Sequence, residues 1–512
     1  MPRTDVLGRI LACAAQELRP LVEKSQLAPE LVSLGEMEWS ILQALWRIGA
    51  FALELLCGLS KGRRRKYVPG HKSVGEGRHR LSFKGTPKKT LLTIFGRIAF
   101  RRAYYHSAAP NDSRWPRDEQ LGLVPGQIWS PGLSERADYL ATVTGSYQEA
   151  AKALDKMFGV EVHYKQIQRD CLLVGADAAT QQREEARAAL ETKEEEPPPE
   201  TEGPECLLLS TDGVIVKDHD GGPGLEIKIG RVDRACLRGS ARTKVSESGL
   251  RQSPLATERT AELAELKESR EQREYQAATG LVKEALAQAA PDRYDRPVYR
   301  PSNPTSSYVA TSEKGTDAIG GLLWAAAVAA GVHTASLVLF MADGGKWCWN
   351  LCQTHFPSAR QILDVFHLAK HLIEAGGVVW GEKSGRAREW ALQGLVAILD
   401  GRLDEVLDAM EALTFTESAK REARRKLLVY LRNNRKRMDY PQYLAAGYPI
   451  SSAMIEGACG HVIGRRMKGS GRRWDQRGAD AMARLRAMHC GGRWEGFFAE
   501  RQRRIRESLR AA

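Results

Sequence analysis

Residues 206–217 read CLLLSTDGVIVK. Apolar and β-branched residues fill this stretch, yet Asp212 sits in its middle, and aspartate is disfavoured inside strands. Two readings are open. Asp212-Gly213 is a tight turn, which leaves two strands of about four residues each. Alternatively the run is one strand and Asp212 is an acid held for a site. Working outward, LEIKIGRV (225–232) reads as the next strand after a Gly-rich turn, and a third strand is expected near 307–312. A helix over 316–330, a fourth strand over 336–342, a helix over 346–356 and a fifth strand, QILDVFH (361–367), follow.

Three strands in hairpin succession, then alternating helix and strand, is the order of a ribonuclease-H-like sheet. The expected fold class is therefore α/β: a ribonuclease-H-like catalytic core with a helical insertion, preceded by a mostly helical DNA-binding region. The expected division is a helical region over 1–85, a strand pair and helix-turn-helix-like region over 86–190 and a linker over 191–205. The core occupies 206–367 and 449–490, with a helical insertion over 368–448 and a basic tail over 491–512. The linker, ETKEEEPPPETEGPE, is acidic and Pro-rich and cannot pack a core. The charged segment 240–300 reads as a partly helical insertion.

In the N-terminal half, Glu38–Leu59 is apolar on most faces and is expected to pack inside a bundle. It runs into the basic cluster KGRRRK, Lys61–Lys66, a solvated loop or a phosphate contact. Lys89–Tyr105 predicts a hairpin around Gly96-Arg97. SYQEAAKALDKMFGVEVHYKQIQRD predicts a helix over Tyr147–Phe158, a turn at Gly159 and a second helix from near His163. That second helix would carry Lys165, Gln168 and Arg169 outward, as a DNA-reading helix or as half of any αα-hairpin.

The 512 residues hold 76 Lys and Arg against 63 Asp and Glu, a formal net charge of +13. Such a balance favours a polyanionic partner, because each phosphate neutralised releases counterions. Nine cysteines with no CxxC pair fit a reducing compartment, the cytoplasm, rather than a disulfide framework or zinc ribbon. Cys348 and Cys352, one helical turn apart, are expected to pack. No signal peptide or membrane span is expected. The most membrane-like stretch, Leu322–Phe340, is broken by Gly331, His333, Thr334 and Ser336, and reads as a buried helix and strand.

Two further acids attract notice. Asp343 ends SLVLFMAD just before Gly344-Gly345, at a strand's carboxyl end where ligands gather; capping the next helix is the competing role. Glu456 lies in SSAMIEGACGHVIGRRMK, four residues after Ser452, so a capping box does not account for it. Three carboxylates on strand, strand and helix suit two divalent cations, Mg²⁺ or Mn²⁺, which prefer oxygen ligands. Asp364 and His367 form a DxxH pattern, with His371 four residues on. Asp364 is the reserve candidate for the second acid, and the histidines are a second metal site or packing groups. His461, Arg465 and Lys468 follow at helical spacing as a basic stripe. GRRMKGSGRRW adds Arg466, Arg472, Arg473 and Trp474, which suit phosphate contact and base stacking. Arg424–Lys426 and Arg432–Arg437 read as solvated helix faces.

The blocks STDG (210–213), ADGGKWCWNL with FPSARQILDVFH, and SSAMIEGACGHVIGRRMKGSGRRWDQRGADAMARLRAM together resemble the ISKra-type insertion-sequence transposases, and share the Mutator-like layout of acid, acid, DxxH and late Glu. Ser452, Glu456, Arg466, Lys468, Ser470, Gly471 and Trp474 fall in the order of that family's late motif. The resemblance implies a metal-dependent DDE triad of Asp212, Asp343 and Glu456, with Asp364 and His367 as the accessory motif. It implies double-stranded DNA as substrate at terminal inverted repeats, and a homodimer or higher synaptic complex. Two departures stand out: no CxxC-like segment follows the hairpin, and Ala453 takes the place of a small Gly-Ser pairing before the Glu. Three functions are weighed: an active transposase, a catalytically silent DNA-binding descendant, and a nuclease of the same fold without strand transfer.

Overall fold

The computed structural model describes residues 3–27, 33–58, 82–106, 113–193, 202–239, 270–293, 296–302, 306–382, 384–451, 453–469 and 471–511. The Lys61–Lys66 cluster, most of the Pro-rich segment, the first half of the 240–300 insertion, Ser452 and Ser470 lie outside them. The chain forms two compact units, Met1–Asp177 with Arg493–Ala512, and Ala178–Gly492.

In the first unit, α1 (Arg3–Leu27) packs along α2 (Leu34–Gly58). Strand β1 (Ser82–Gly85) joins β4 (Tyr104–His106) and β5 (Ser113–Arg114) in a small sheet, while β2 (Lys88–Thr93) and β3 (Gly96–Arg101) make the expected hairpin. Leu91, Ile98 and Phe100 alternate inward from that hairpin, as a period of two requires, and meet Ala50, Leu53 and Cys57 of α2. The expectation that α2 lies inside a bundle is corrected. Of its residues only Ala44 is buried, and Trp39, Ile41 and Leu45 remain exposed. Among the described residues it is the one helix long and apolar enough to cross a membrane. Helices α3 (Pro116–Leu121), α4 (Pro131–Val143) and α5 (Tyr147–Phe158) follow, and α6 (Tyr164–Glu191) begins in this unit and continues past its boundary at Asp177. Ser146 caps α5 by accepting from Glu149 N–H, and Glu149 returns a bond from Gly145 N–H at 2.7 Å. Gly159 ends α5 in the left-handed conformation, φ 61°.

The second unit is built on a mixed six-stranded sheet. Its order is β11-β10-β6-β7-β8, with β9 also on β7. Here β6 is Cys206–Val216, β7 Leu225–Arg238, β8 Val298–Pro301, β9 Ser307–Thr311, β10 Val338–Ala342 and β11 Arg360–Leu363. The pairs β6–β10 and β10–β11 are parallel, and β7 runs antiparallel to β6, β8 and β9. Strand β6 is continuous, with Asp212 paired to Ile229, so the turn reading of Asp212-Gly213 is excluded. The fifth strand is shorter than expected. It stops at Leu363, and Val365–Trp380 is a helix because Asp364 caps it. Described residues from 385 to 445 add four more helices and a 3₁₀ turn. Helix Arg270–Ala289, from the charged insertion, packs on Val365–Trp380 and Gly385–Leu399. The core is one continuous cluster of sheet and helix residues, among them Leu208, Leu339, Phe340, Ile362 and Leu323.

The helix Gln476–Cys490 is fixed to the end of β9 by a buried ion network. Arg484 is fully buried. It donates to Asp480 (2.6 Å), Gln182 (2.8 Å), Thr311 Oγ1 (2.7 Å) and Glu313 (2.7 Å). Asp480 also accepts from Ser312 N–H at 2.8 Å. Burial works against the Asp480 charge, but Arg484 and these hydrogen bonds hold its pKa below the usual carboxylate range. Stability from a depressed carboxylate is present above its unfolded pKa of about 3.9 and is lost as pH falls through the folded value. Asp480→Asn is predicted to cost roughly 3–5 kcal/mol at neutral pH, as a broken buried pair does. Urea unfolding should show the gap to wild type narrowing as the pH drops below about 4; a gap that is constant with pH contradicts this account.

Candidate functional site

The register of three parallel strands sets the site. Ser210 pairs with Met341, and Ala342 with Leu363. Continuing each strand brings Asp212, Asp343 and Asp364 level across neighbouring strands, about 4.8 Å apart from strand to strand. All three acids thus gather at one edge of the sheet, at the carboxyl ends of β10 and β11.

Their partners differ. Asp364 is 1% exposed and caps its helix, accepting from His367 N–H at 3.0 Å and bonding His367 Nδ1 at 2.6 Å. Asp343 accepts from Gly345 N–H at 2.8 Å and from the Cys348 thiol at 3.5 Å. The helix cap itself is Gly345, with no side-chain cap, so Asp343 organises the loop rather than capping the helix. Gly344 has φ 99°, and a Cβ there would meet the Tyr430 ring at 2.7 Å; Tyr430 donates to the Asp343 carbonyl at 3.0 Å. Asp212 accepts from Gly213 N–H at 2.7 Å and from the Cys459 thiol at 3.4 Å.

No Lys or Arg among the described residues pairs with Asp212 or Asp343. Asp233, Asp118 and Asp480 are by contrast neutralised by Arg231 (2.7 Å), Arg102 (2.7 Å) and Arg484 (2.6 Å). Burial raises the Asp212 pKa, and the like charge of Asp343 adds to the rise. The cation nearest in effect is His367. Burial disfavours its protonation, but the hydrogen bond and charge of Asp364, with Asp343 and Asp212 behind, hold its pKa up at about 9. His371, one turn on, is the reverse: burial, then His367, pushes it down to about 4, and its ring lies 3.9 Å from that of Tyr430. The two histidines on one helix are therefore pushed in opposite directions.

Glu456 lies on the helix Ala453–Ala458, which passes into a π-helical turn, Cys459–Gly464. Arg231 donates to the Met454 carbonyl at 2.7 Å and anchors that helix to β7. The wide turn displaces carbonyls from their usual partners, and Arg486 takes two of them, donating to Val462 O (2.8 Å) and to His461 O; just beyond the turn Arg472 donates to Arg465 O (2.8 Å) and Arg466 O (3.0 Å). Glu456 is one turn before Cys459, whose thiol is pushed well up by burial, then by Asp212, with Glu456 adding to it. Glu456 is thus a neighbour of the acidic edge. Among the described residues, however, no three His, Cys, Asp or Glu side chains converge closely enough to hold a metal ion.

The basic block divides in two. Arg466 is 3% and Trp474 7% exposed, with the guanidinium 5.1 Å from the indole centroid and Trp474 Nε1 donating to Met467 O. Trp474 N–H donates to Lys217 O at 3.0 Å, and its carbonyl accepts from His219 N–H at 2.9 Å, stitching the block to the end of β6. The expectation that Arg466 and Trp474 face nucleic acid is corrected: they pack, and Arg472 is engaged with backbone carbonyls. His461, Arg465, Lys468 and Arg473 are exposed, as are Lys165, Gln168 and Arg169 at the start of α6. Cys348, Cys459 and Tyr430 are site residues that the sequence expectations do not include. Cys459, three residues after Glu456 on the same helical run, was the one with a sequence signal.

The raised His367 pKa favours the folded state at low pH. Its stabilisation is complete below the unfolded value of about 6.5 and is lost as pH rises through about 9. NMR titration of the His367 ring is predicted to show a midpoint near 9, falling toward or below the ordinary histidine value in Asp364→Asn. A ring already neutral at pH 7.5 in the wild type contradicts the assigned coupling.

No curated protein matches the chain. The sequence model of an uncharacterised protein family, UPF0236, matches residues 72–196 and 332–502, more than half of the 512 residues. The chain belongs to the uncharacterised protein family UPF0236.

Proposed function

We propose that this chain is a DDE-type transposase, akin to the ISKra-type enzymes, that cuts DNA at an insertion sequence's terminal inverted repeats and joins the ends to a target. The observation that carries the reading is the pair of carboxylates, Asp212 and Asp343, level on adjacent parallel strands and neutralised by no Lys or Arg among the described residues. The strand order and senses support a ribonuclease-H-like core, with the helices from Val365 to Ala445 inserted before the late Glu.

The two aspartates fit a divalent cation: both present oxygen ligands, and their mutual repulsion is what a cation relieves. Glu456, whose charge acts on the same Cys459 thiol that bonds Asp212, would complete the set. When bound, two Mg²⁺ or Mn²⁺ ions would activate the attacking water or 3′-hydroxyl and stabilise the leaving oxygen. The chain's own residues hold the rest. Gly213 N–H and the Cys459 thiol fix the Asp212 carboxylate, and Gly345 N–H and the Cys348 thiol fix that of Asp343. His367, held by Asp364, keeps a positive charge behind both and limits their repulsion. His461, Arg465, Lys468 and Arg473 offer charge to the DNA backbone beside the site. The enzyme would act on double-stranded DNA at the bacterial nucleoid, as a homodimer or larger synaptic complex, because two ends must be joined.

The separation of Glu456 from the aspartate pair favours one second reading, a silent descendant that binds DNA without cutting it. Incubating the purified protein with Mg²⁺ or Mn²⁺ and end-bearing DNA distinguishes them. Cleavage at the 3′ ends is predicted, with Asp212→Asn, Asp343→Asn and Glu456→Gln each lowering the rate by roughly 10²–10⁴-fold while end binding persists. Asp364→Asn should reduce cutting less than Asp343→Asn. Wild-type binding without any cleavage would hand the case to the silent descendant.

A further inference from the structure

The first unit carries a cavity of about 840 Å³ with an unusual pairing of groups on its walls. Trp39 and Trp46 project from α2, 5.7 Å apart edge to face, and Phe95 comes from the turn between β2 and β3. Trp39 is 48% exposed, a large apolar area to leave in water. The rings are held by close backbone approach. A Cβ on Gly159 would meet Trp46 at 2.6 Å, and one on Gly49 would meet Phe95 at 2.5 Å.

Around these rings stand Arg97, Lys152 and Lys156, exposed and without an ion-pair partner among the described residues. Lys152 and Lys156 are one turn apart on α5 and share a face. Arg47 also lines the cavity but is paired with Glu17 at 2.6 Å, and Asp155 is the one acid on the walls. The unpaired charge is therefore positive, set beside aromatic faces.

We infer that this groove binds an unpaired DNA strand, with bases stacking on Trp39 and its neighbours and phosphates meeting Arg97, Lys152 and Lys156. Exposed aromatic faces are satisfied by base faces, and a base offers its face only where the strand is unpaired; in a duplex the neighbouring pairs cover it. The cations supply the backbone attraction and its salt dependence. An acidic peptide would satisfy the cations but leave the indoles in water. The choice of DNA over RNA rests on the function proposed above; the groove itself needs no catalytic step.

Binding is tested with the full-length chain in chelator-containing buffer, so that no cutting occurs, by fluorescence anisotropy of a labelled oligothymidylate. Affinity is expected to fall with salt. Trp39→Ala should weaken it about tenfold, and Trp39→Phe should restore most of the loss. Lys152→Glu with Lys156→Glu should flatten the salt dependence by the equivalent of about two phosphate contacts. Trp39→Ala binding as wild type overturns the inference, as does displacement by a duplex of equal length or by polyglutamate as readily as by the strand itself. Tighter binding of an oligouridylate overturns the choice of DNA. Strand binding without cleavage leaves the groove standing and removes the transposase reading; cleavage without strand binding does the opposite.

Discussion

Like charges held side by side, with no Lys or Arg among the described residues paired to them, are the constraint on which the second unit turns. Asp212 and Asp343 project from β6 and β10 at the same level because the parallel register puts them there. Elsewhere in the chain Asp118, Asp233 and Asp480 meet arginines. Here the surroundings offer backbone N–H groups, two protonated thiols and one imidazolium. Each stabilises a carboxylate in part and leaves oxygen lone pairs available. A cation bound between the two, as proposed above, would relieve their mutual repulsion.

The parts around the pair serve its position. Asp364 stops β11, caps the helix that follows and holds His367 protonated behind the other two acids. Tyr430 reaches from the helical layer to the Asp343 carbonyl, so the helices after β11 help to fix the loop that carries the acid. Arg486 takes carbonyls of the π-helical turn and Arg472 those of the short helical turn just beyond it, where the exposed basic residues begin. Arg466 and Trp474 then tie that segment to the end of β6, bringing charge to the same edge of the sheet.

Much of this could be read from residues alone, and what could not has physical causes. The strands around Asp212, Ser307–Thr311 and Asp343 were legible because short, nearly continuous apolar runs bounded by Gly and polar residues leave few alternatives. Helix Tyr147–Phe158 was legible to its ends because Ser146 and Gly159 are strong caps. The residues DVFH favour a strand, so the sequence extends the fifth strand past its end at Leu363; only the tertiary position of Asp364 makes it a cap. Arg466 and Trp474 were read as facing DNA because composition cannot say which member of a basic cluster turns inward to stack on an indole. The helix Leu34–Gly58 was read as buried for its apolarity, yet the small first unit has little to lay against it. The π-helical turn left no sequence pattern, because two of its carbonyls are satisfied by Arg486, distant in the chain.

The most direct measurement is Mn²⁺ binding by electron paramagnetic resonance to the wild type and to the Asp212→Asn, Asp343→Asn double variant. The account predicts that the wild type takes up the ion without DNA present, and that the double variant, still folded by circular dichroism, loses it. Equal uptake by both proteins would contradict the claim that these two carboxylates form a cation site.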